Sequence, residues 1–314
     1  MTPRASLLPF LFLMAISTRS GAIDTAENVI SATEIVEEMT TKKELGSIKY
    51  HYDSVIASCS TVLILGVGTF MSINDYDMVS RATASGQPIV VIISDHNVHS
   101  LIKTSPTKYA LLVNAIQRYL PDLIPICKNQ DARILVGGHS ASGEAAVKAL
   151  QENLLGFEPV GFVGLDPYEI SAKTVDMTKT LTMPAMFWGL SETTCKVERI
   201  KAAKAAYKLA MAKARILYVL DNDQSGITHC VFSDTGCGEW PLVCKNEEVF
   251  DWVHETVAKS IHMFIVAITD GNYTKRQFEL PKDTPRDVIL YANEDEVIFV
   301  EEEVLMNPRD PAIR

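Results

Sequence analysis

Residues 134–146 read Ile134-Leu135-Val136-Gly137-Gly138-His139-Ser140-Ala141-Ser142-Gly143-Glu144-Ala145-Ala146. An unbroken apolar run gives way to glycines, a histidine and two serines, and a helix pattern starts straight after. Strands buried on both faces carry such runs, as in a parallel sheet covered by helices. A tight turn from strand into helix holds a serine hydroxyl clear of the sheet, which is the setting of a nucleophile elbow. Large side chains two residues before or after that serine would clash in so sharp a turn. With Ser140 as nucleophile those positions are Gly138 and Ser142; with Ser142 they would be Ser140 and Glu144, and Glu144 is too large. Ser140 is therefore the expected nucleophile. The common form is G-x-S-x-G; here Ser142 takes the last position and Gly143 follows one place later. A glycine-rich turn with an N-capping serine is the competing structural explanation.

The same alternation extends outward in both directions. Apolar, β-rich runs occur at 61–65, 89–94, 133–136, 160–165, 185–188 and 216–220. Helical patterns lie between them at 76–85, 107–120, 142–155, 196–214 and 247–267. The fourth is rich in lysine, which marks a solvated helix face rather than an anion site. Strands alternating with helices predict an α/β fold with a doubly wound, mostly parallel sheet and helices on both faces. One such domain is expected over residues 23–271, with 23–55 supplying a leading helix and one or two edge strands. Residues 272–314 are acidic, with Glu301-Glu302-Glu303 beside Val-Ile-Phe-Val, and read as a strand-bearing appendage or a tail.

Composition narrows the function classes. The chain has 314 residues, 47% hydrophobic and 22% charged, which excludes a disordered, collagenous or coiled-coil main state. A net charge of −10 repels phosphate backbones, so no nucleic-acid partner is expected. Residues 1–22 hold Arg4, an apolar stretch and a small-residue exit at Ser20-Gly21-Ala22, the pattern of a secretory signal peptide. The apolar stretch is shorter than the ~20 residues a membrane span needs, and no later segment supplies one. A soluble, secreted product is expected. Six cysteines, Cys59, Cys127, Cys195, Cys230, Cys237 and Cys244, all follow residue 22. Their even number fits three disulfides in an oxidising compartment, with the pairing open. Their spacing contains no C-x-x-C, so no metal site is expected. Asn272-Tyr273-Thr274 is a glycosylation sequon.

A serine nucleophile needs an acid and a histidine, in the chain order Ser, Asp/Glu, His. His229 follows the last buried run and a turn-rich stretch, where a loop can reach back over Ser140. His254 and His262 fall in the final helix pattern and read as packing or surface groups. His51, His96 and His99 all precede Ser140, with His96 and His99 placed to line a pocket mouth. His139 reads as packed and hydrogen-bonded. For the acid, Asp166 ends the run 161–165, and Glu192 follows the next one as the alternative. Both stand at carboxyl strand ends, where catalytic groups collect in open α/β sheets. Asp166 is the first choice, against its reading as a turn residue.

The oxyanion hole needs backbone N–H donors. Ala141, directly after the nucleophile, is one. The turn Gly66-Val67-Gly68-Thr69-Phe70 supplies the other, through Val67 or Thr69. That turn does not complete a dinucleotide fingerprint, because Met71 stands at the third glycine position.

With these residues in place, the stretch from about 47 to 268 resembles the α/β-hydrolase superfamily. Gly138-His139-Ser140-Ala141-Ser142-Gly143 and Gly164-Leu165-Asp166-Pro167 are similar to the branch holding plant chlorophyllases, plasma-type platelet-activating-factor acetylhydrolases and cutinase-like polyesterases. Ser142, and Leu65 where such families carry a histidine, depart from that pattern. The resemblance implies a secreted serine esterase acting through Ser140, His229 and Asp166 on a small-molecule or lipid-like ester, without metal or organic cofactor. The rival expectations are a non-catalytic binding protein of the same fold and an amidase or peptidase using the same machinery.

Overall fold

The computed structural model describes residues 28–37, 44–69, 71–96, 105–128, 131–168, 170, 175–190, 200–211, 213–220, 228–235, 251–282, 284 and 288–293. It is an α/β structure around one nine-stranded mixed sheet. The strands are β1 (Val29–Glu37), β2 (Glu44–Asp53), β3 (Thr61–Gly66), β4 (Ile89–Asp95), β5 (Arg133–His139), β6 (Gly161–Leu165), β7 (Ala185–Leu190), β8 (Arg215–Leu220) and β9 (Val288–Ala292). Their order is β1-β2-β4-β3-β5-β6-β7-β8-β9. Strands β3 to β8 are mutually parallel, while β1, β2 and β9 add antiparallel edges. Five α-helices accompany them among the described residues: α1 (Asp77–Ala84), α2 (Pro106–Leu123), α3 (Ser140–Gln151), α4 (Ile200–Leu209) and α5 (Asp251–Asp270).

Alternate residues of each strand face opposite sides of the sheet, and both sides are covered. Val62, Ile64, Ile92, Val136 and Phe187 pack with Tyr109 and Ile116 of α2, Ala145 and Ala149 of α3 and Ala206 of α4. Leu63, Leu65, Val91, Leu135 and Trp188 pack on the other side with Val79 of α1 and with Val257, Ile261 and Phe264 of α5. Two-sided burial explains why these strands are apolar at every position rather than at alternate ones.

Two details differ from the sequence expectation. No helix precedes β3 among the described residues; that region forms the antiparallel pair β1 and β2, whose β-branched residues Val29, Ile30, Thr33, Ile35 and Val36 suit a pleated strand. Helix α3 begins at Ser140, directly at the end of β5, rather than at residue 142. In the 272–314 segment, β9 pairs with β8, and Arg215 Nε donates to the Asn293 carbonyl at 2.7 Å. No helix among the described residues is long and apolar enough to cross a membrane.

Strand β3 lies between β4 and β5, so the connections that leave β3 and β5 run in opposite directions. Such a switch point opens a crevice at the carboxyl ends of the strands, where ligands bind in open α/β sheets. The turn after β3 and the β5–α3 junction flank it.

A disulfide joins Cys59, just before β3, to Cys127, in the turn after α2, across 68 residues of chain. Cys230 is disulfide-bonded as well, and Cys195, Cys237 and Cys244 lie outside the described residues. Closing a loop of that size restricts the unfolded chain by about 4 kcal/mol. Replacing Cys59 and Cys127 together by alanine should lower unfolding free energy by about that amount in urea titrations under oxidising conditions. No change would mean that the bond contributes nothing to stability.

Candidate active site at the carboxyl rim of the sheet

The site grows from the junction of β5 and α3. Ser140 adopts φ 53°, one of four non-glycine residues with positive φ among those described. An L-residue resists this left-handed conformation by roughly 1–2 kcal/mol, so the surroundings must hold it. They do so at close quarters. A Cβ placed on Gly138 would lie 2.8 Å from the Ser142 backbone carbonyl carbon, so only glycine fits there. The Ser142 hydroxyl, where the common pattern has glycine, donates to the Val67 carbonyl and ties the helix start to the turn after β3. The Ser140 carbonyl accepts the Tyr168 N–H at 2.9 Å, which fastens the loop after β6 to the same residue. Ser140 itself is 6% exposed. It opens α3, whose first N–H groups have no intrahelical acceptor and give the turn a partial positive charge.

Asp166 directly follows β6, also with positive φ, at 40°. Its N–H donates to the Trp188 carbonyl at 2.8 Å, continuing the sheet ladder by one residue. The Asp166 Oδ2 atom lies 2.5 Å from His229 Nδ1, with both side chains buried. His229 begins a 3-10 turn, His229–Phe232, capped by the Thr228 hydroxyl. A carboxylate on Nδ1 fixes the proton there and leaves Nε2 as the basic nitrogen. The imidazole packs against the junction, its ring centroid 4.5 Å from that of His139. Ser140, Asp166 and His229 thus stand on three neighbouring segments of one rim. Glu192, the alternative acid, lies outside the described residues.

The turn after β3 corrects one expectation. The Val67 N–H donates to the Ser94 carbonyl at 3.0 Å, extending the β3–β4 pairing, so it has no donor left for an oxyanion. The Gly68 N–H donates to the Tyr76 hydroxyl at 2.9 Å. The Thr69 N–H carries no such bond among the described residues, and Thr69 is half-buried. Ala141 sits in the first turn of α3.

The remaining histidines have structural settings. His139 is fully buried, bonding Tyr76 through Nδ1 at 2.7 Å and the His229 carbonyl through Nε2 at 3.0 Å. His254 Nε2 lies 2.9 Å from the Val231 carbonyl, inside the turn that carries His229. His262 Nε2 meets the Thr83 carbonyl. His51, in β2, contacts Ser31 Oγ at 2.8 Å, and burial lowers its pKa to about 3. His96 follows β4, edge-on to Tyr109, and burial lowers its pKa to about 4. His99 lies outside the described residues. No group of three or more His, Cys, Asp or Glu side chains is placed to hold a metal among the described residues.

Sequence reasoning missed three supporting groups: Tyr76, the Ser142 anchor and Asp234. Asp234 accepts the Met78 N–H at 3.0 Å, and its own N–H donates to the Asp75 carbonyl at 2.7 Å. It thereby fixes the end of the His229 turn to the start of α1. His254 Nδ1 faces it at 3.9 Å. Burial, with the nearby charges of Asp77 and Asp75 adding, pushes its pKa up to about 7 against the opposing Met78 hydrogen bond. A folded-state value above the ordinary one means that protonated Asp234 favours the fold. That contribution is complete below about pH 4 and is lost as pH rises through about 7. Asp234→Asn keeps an acceptor for Met78, so it should gain on the wild type as pH rises across this window. Urea unfolding at a series of pH values measures the gap; a constant gap would mean that Asp234 ionises equally well folded and unfolded. Comparison of the chain with protein-family models and with curated proteins returned no match.

Proposed function

We propose that the chain is a serine hydrolase of carboxylic esters on an α/β-hydrolase-type fold, with Ser140 as nucleophile, His229 as general base and Asp166 as its orienting acid. The observation that carries this reading is the buried 2.5 Å contact between Asp166 and His229 Nδ1, on the same rim as a serine held in the left-handed conformation. Asp166 takes the acid's role over Glu192 because it reaches the imidazole. In this reaction the Ser140 hydroxyl attacks the ester carbonyl while His229 Nε2 accepts its proton. Asp166 stabilises the imidazolium that forms. The N–H groups of Ala141 and Thr69 receive the developing oxyanion, with the positive end of α3 behind them. Collapse of the tetrahedral adduct expels the alcohol, which takes the proton from His229. Water then attacks the acyl-enzyme by the same steps in reverse.

The proposed secretory route rests on the pattern of residues 1–22, and it would deliver the chain to an oxidising compartment in which a disulfide such as Cys59–Cys127 persists. A small-molecule or lipid-like ester is the proposed substrate class.

The test is a series of p-nitrophenyl esters, acetate to palmitate, on wild type, Ser140→Ala and Asp166→Asn, with folding checked by circular dichroism. Wild type should turn over, and its chain-length profile should locate the acyl site. Ser140→Ala should lose at least ~10³-fold in kcat. Asp166→Asn should lose roughly 10⁴-fold, because an amide stabilises the wrong tautomer. Undiminished turnover in Ser140→Ala would refute the assignment.

A further inference from the structure

We propose that Tyr76 and His139 are positioning residues that couple the general base to the oxyanion turn through one directed chain of hydrogen bonds, an inference that rests on the ester-hydrolase reading. Its links are all short. The Gly68 N–H lies 2.9 Å from Tyr76 Oη. Tyr76 Oη is 2.7 Å from His139 Nδ1. His139 Nε2 is 3.0 Å from the His229 carbonyl oxygen. The chain therefore starts on the turn after β3, passes the residue before the nucleophile and ends on the backbone of the base.

Each direction follows from the chemistry of the groups. A carbonyl oxygen only accepts, so His139 Nε2 must carry a proton. In the uncharged ring Nδ1 then has a lone pair and accepts from the Tyr76 hydroxyl. That hydroxyl has one proton to give, and the imidazole nitrogen is a far stronger acceptor for it than the Met71 thioether, whose Sδ also lies 2.8 Å from Oη. The Oη lone pairs remain open to the Gly68 N–H. Every donor points the same way, and such chains polarise each other in a dry interior.

The interior here is dry and tight. Tyr76 is 1% exposed and His139 is fully buried. The Phe232 ring stands 5.8 Å from His139. A Cβ on Gly68 would sit 2.8 Å from His139 Nδ1, so the turn can approach the ring only as glycine. Burial holds the Tyr76 proton far above the ordinary tyrosine range, which keeps the hydroxyl a donor.

The consequence concerns the peptide that follows Gly68. Tyr76 holds the Val67–Gly68 peptide through its N–H, and the Gly68 carbonyl, which accepts the Met71 N–H at 3.2 Å, holds the Gly68–Thr69 peptide, so the Thr69 N–H is presented in one orientation. At the other end, the His229 carbonyl is held while Asp166 holds its ring. Two parts of the site that sit on distant strands then keep one spacing.

The experiment compares wild type with Tyr76→Phe, His139→Gln and His139→Asn. Glutamine can still donate to the His229 carbonyl, whereas asparagine can only offer an acceptor near Tyr76. Ester kinetics should show kcat down by roughly 10- to 100-fold in Tyr76→Phe with KM little changed, as expected when a buried donor and acceptor lose their partner. The pH profile of kcat/KM should move in His139→Asn and be restored toward wild type in His139→Gln. Independently of turnover, ¹⁵N NMR of the histidine rings should find His139 uncharged with its proton on Nε2. The Tyr76→Phe variant should shift the His139 Nδ1 resonance. A His139 proton on Nδ1, or wild-type kcat and pH profile in Tyr76→Phe while Ser140→Ala is inactive, would overturn the proposal. Full turnover in Ser140→Ala would instead defeat the hydrolase reading, and the NMR result would still decide the chain of bonds.

Discussion

A serine at φ 53° between a strand and a helix is a conformation that the polypeptide does not choose unaided. Everything around Ser140 can be understood as the means of enforcing it. Gly138 leaves the space the turn needs, and Ser142 anchors the far side of the turn to Val67. Tyr168 holds the Ser140 carbonyl from the loop after β6. The parallel strands supply the base on which these restraints act, since β5 is hydrogen-bonded on both sides. A strained position survives only where its surroundings over-determine it, and such positions gather at functional sites.

The same restraints arrange the rest of the rim. The bond that fixes Ser140 brings in the loop carrying Asp166, and Asp166 in turn fixes His229. The turn after β3 is held from three directions: by Ser94 through Val67, by Ser142 through the Val67 carbonyl, and by Tyr76 through Gly68. Polar groups placed before reaction cost no reorganisation during it. A rim so constrained suits chemistry that builds charge at one oxygen and moves one proton.

Much of this arrangement was legible in the chain. The central strands announce themselves because burial on both faces removes polar residues from every position, as in Val62-Leu63-Ile64-Leu65. The β5–α3 turn was legible because its geometry admits only small residues near Ser140. Asp166 and His229 stood out by their places after β6 and β8. The edge pair β1–β2 was less so, since incomplete burial leaves a mixed pattern such as Val29 to Glu37, where Val29 and Val36 are buried and Ile30, Thr33 and Ile35 are exposed. The donor available in the turn after β3 depended on Ser94, 27 residues downstream of Val67, and no local pattern carries that information. Tyr76 lies 63 residues before His139, and their meeting is a product of sheet order alone.

Covalent capture decides whether Ser140 is the activated nucleophile we propose. The folded wild-type protein would be treated with a fluorophosphonate probe and its peptides mapped by mass spectrometry. One adduct is expected, on the peptide that contains Ser140, formed much more slowly in Asp166→Asn. An unlabelled protein, or an adduct on a different serine, would rule Ser140 out as the nucleophile.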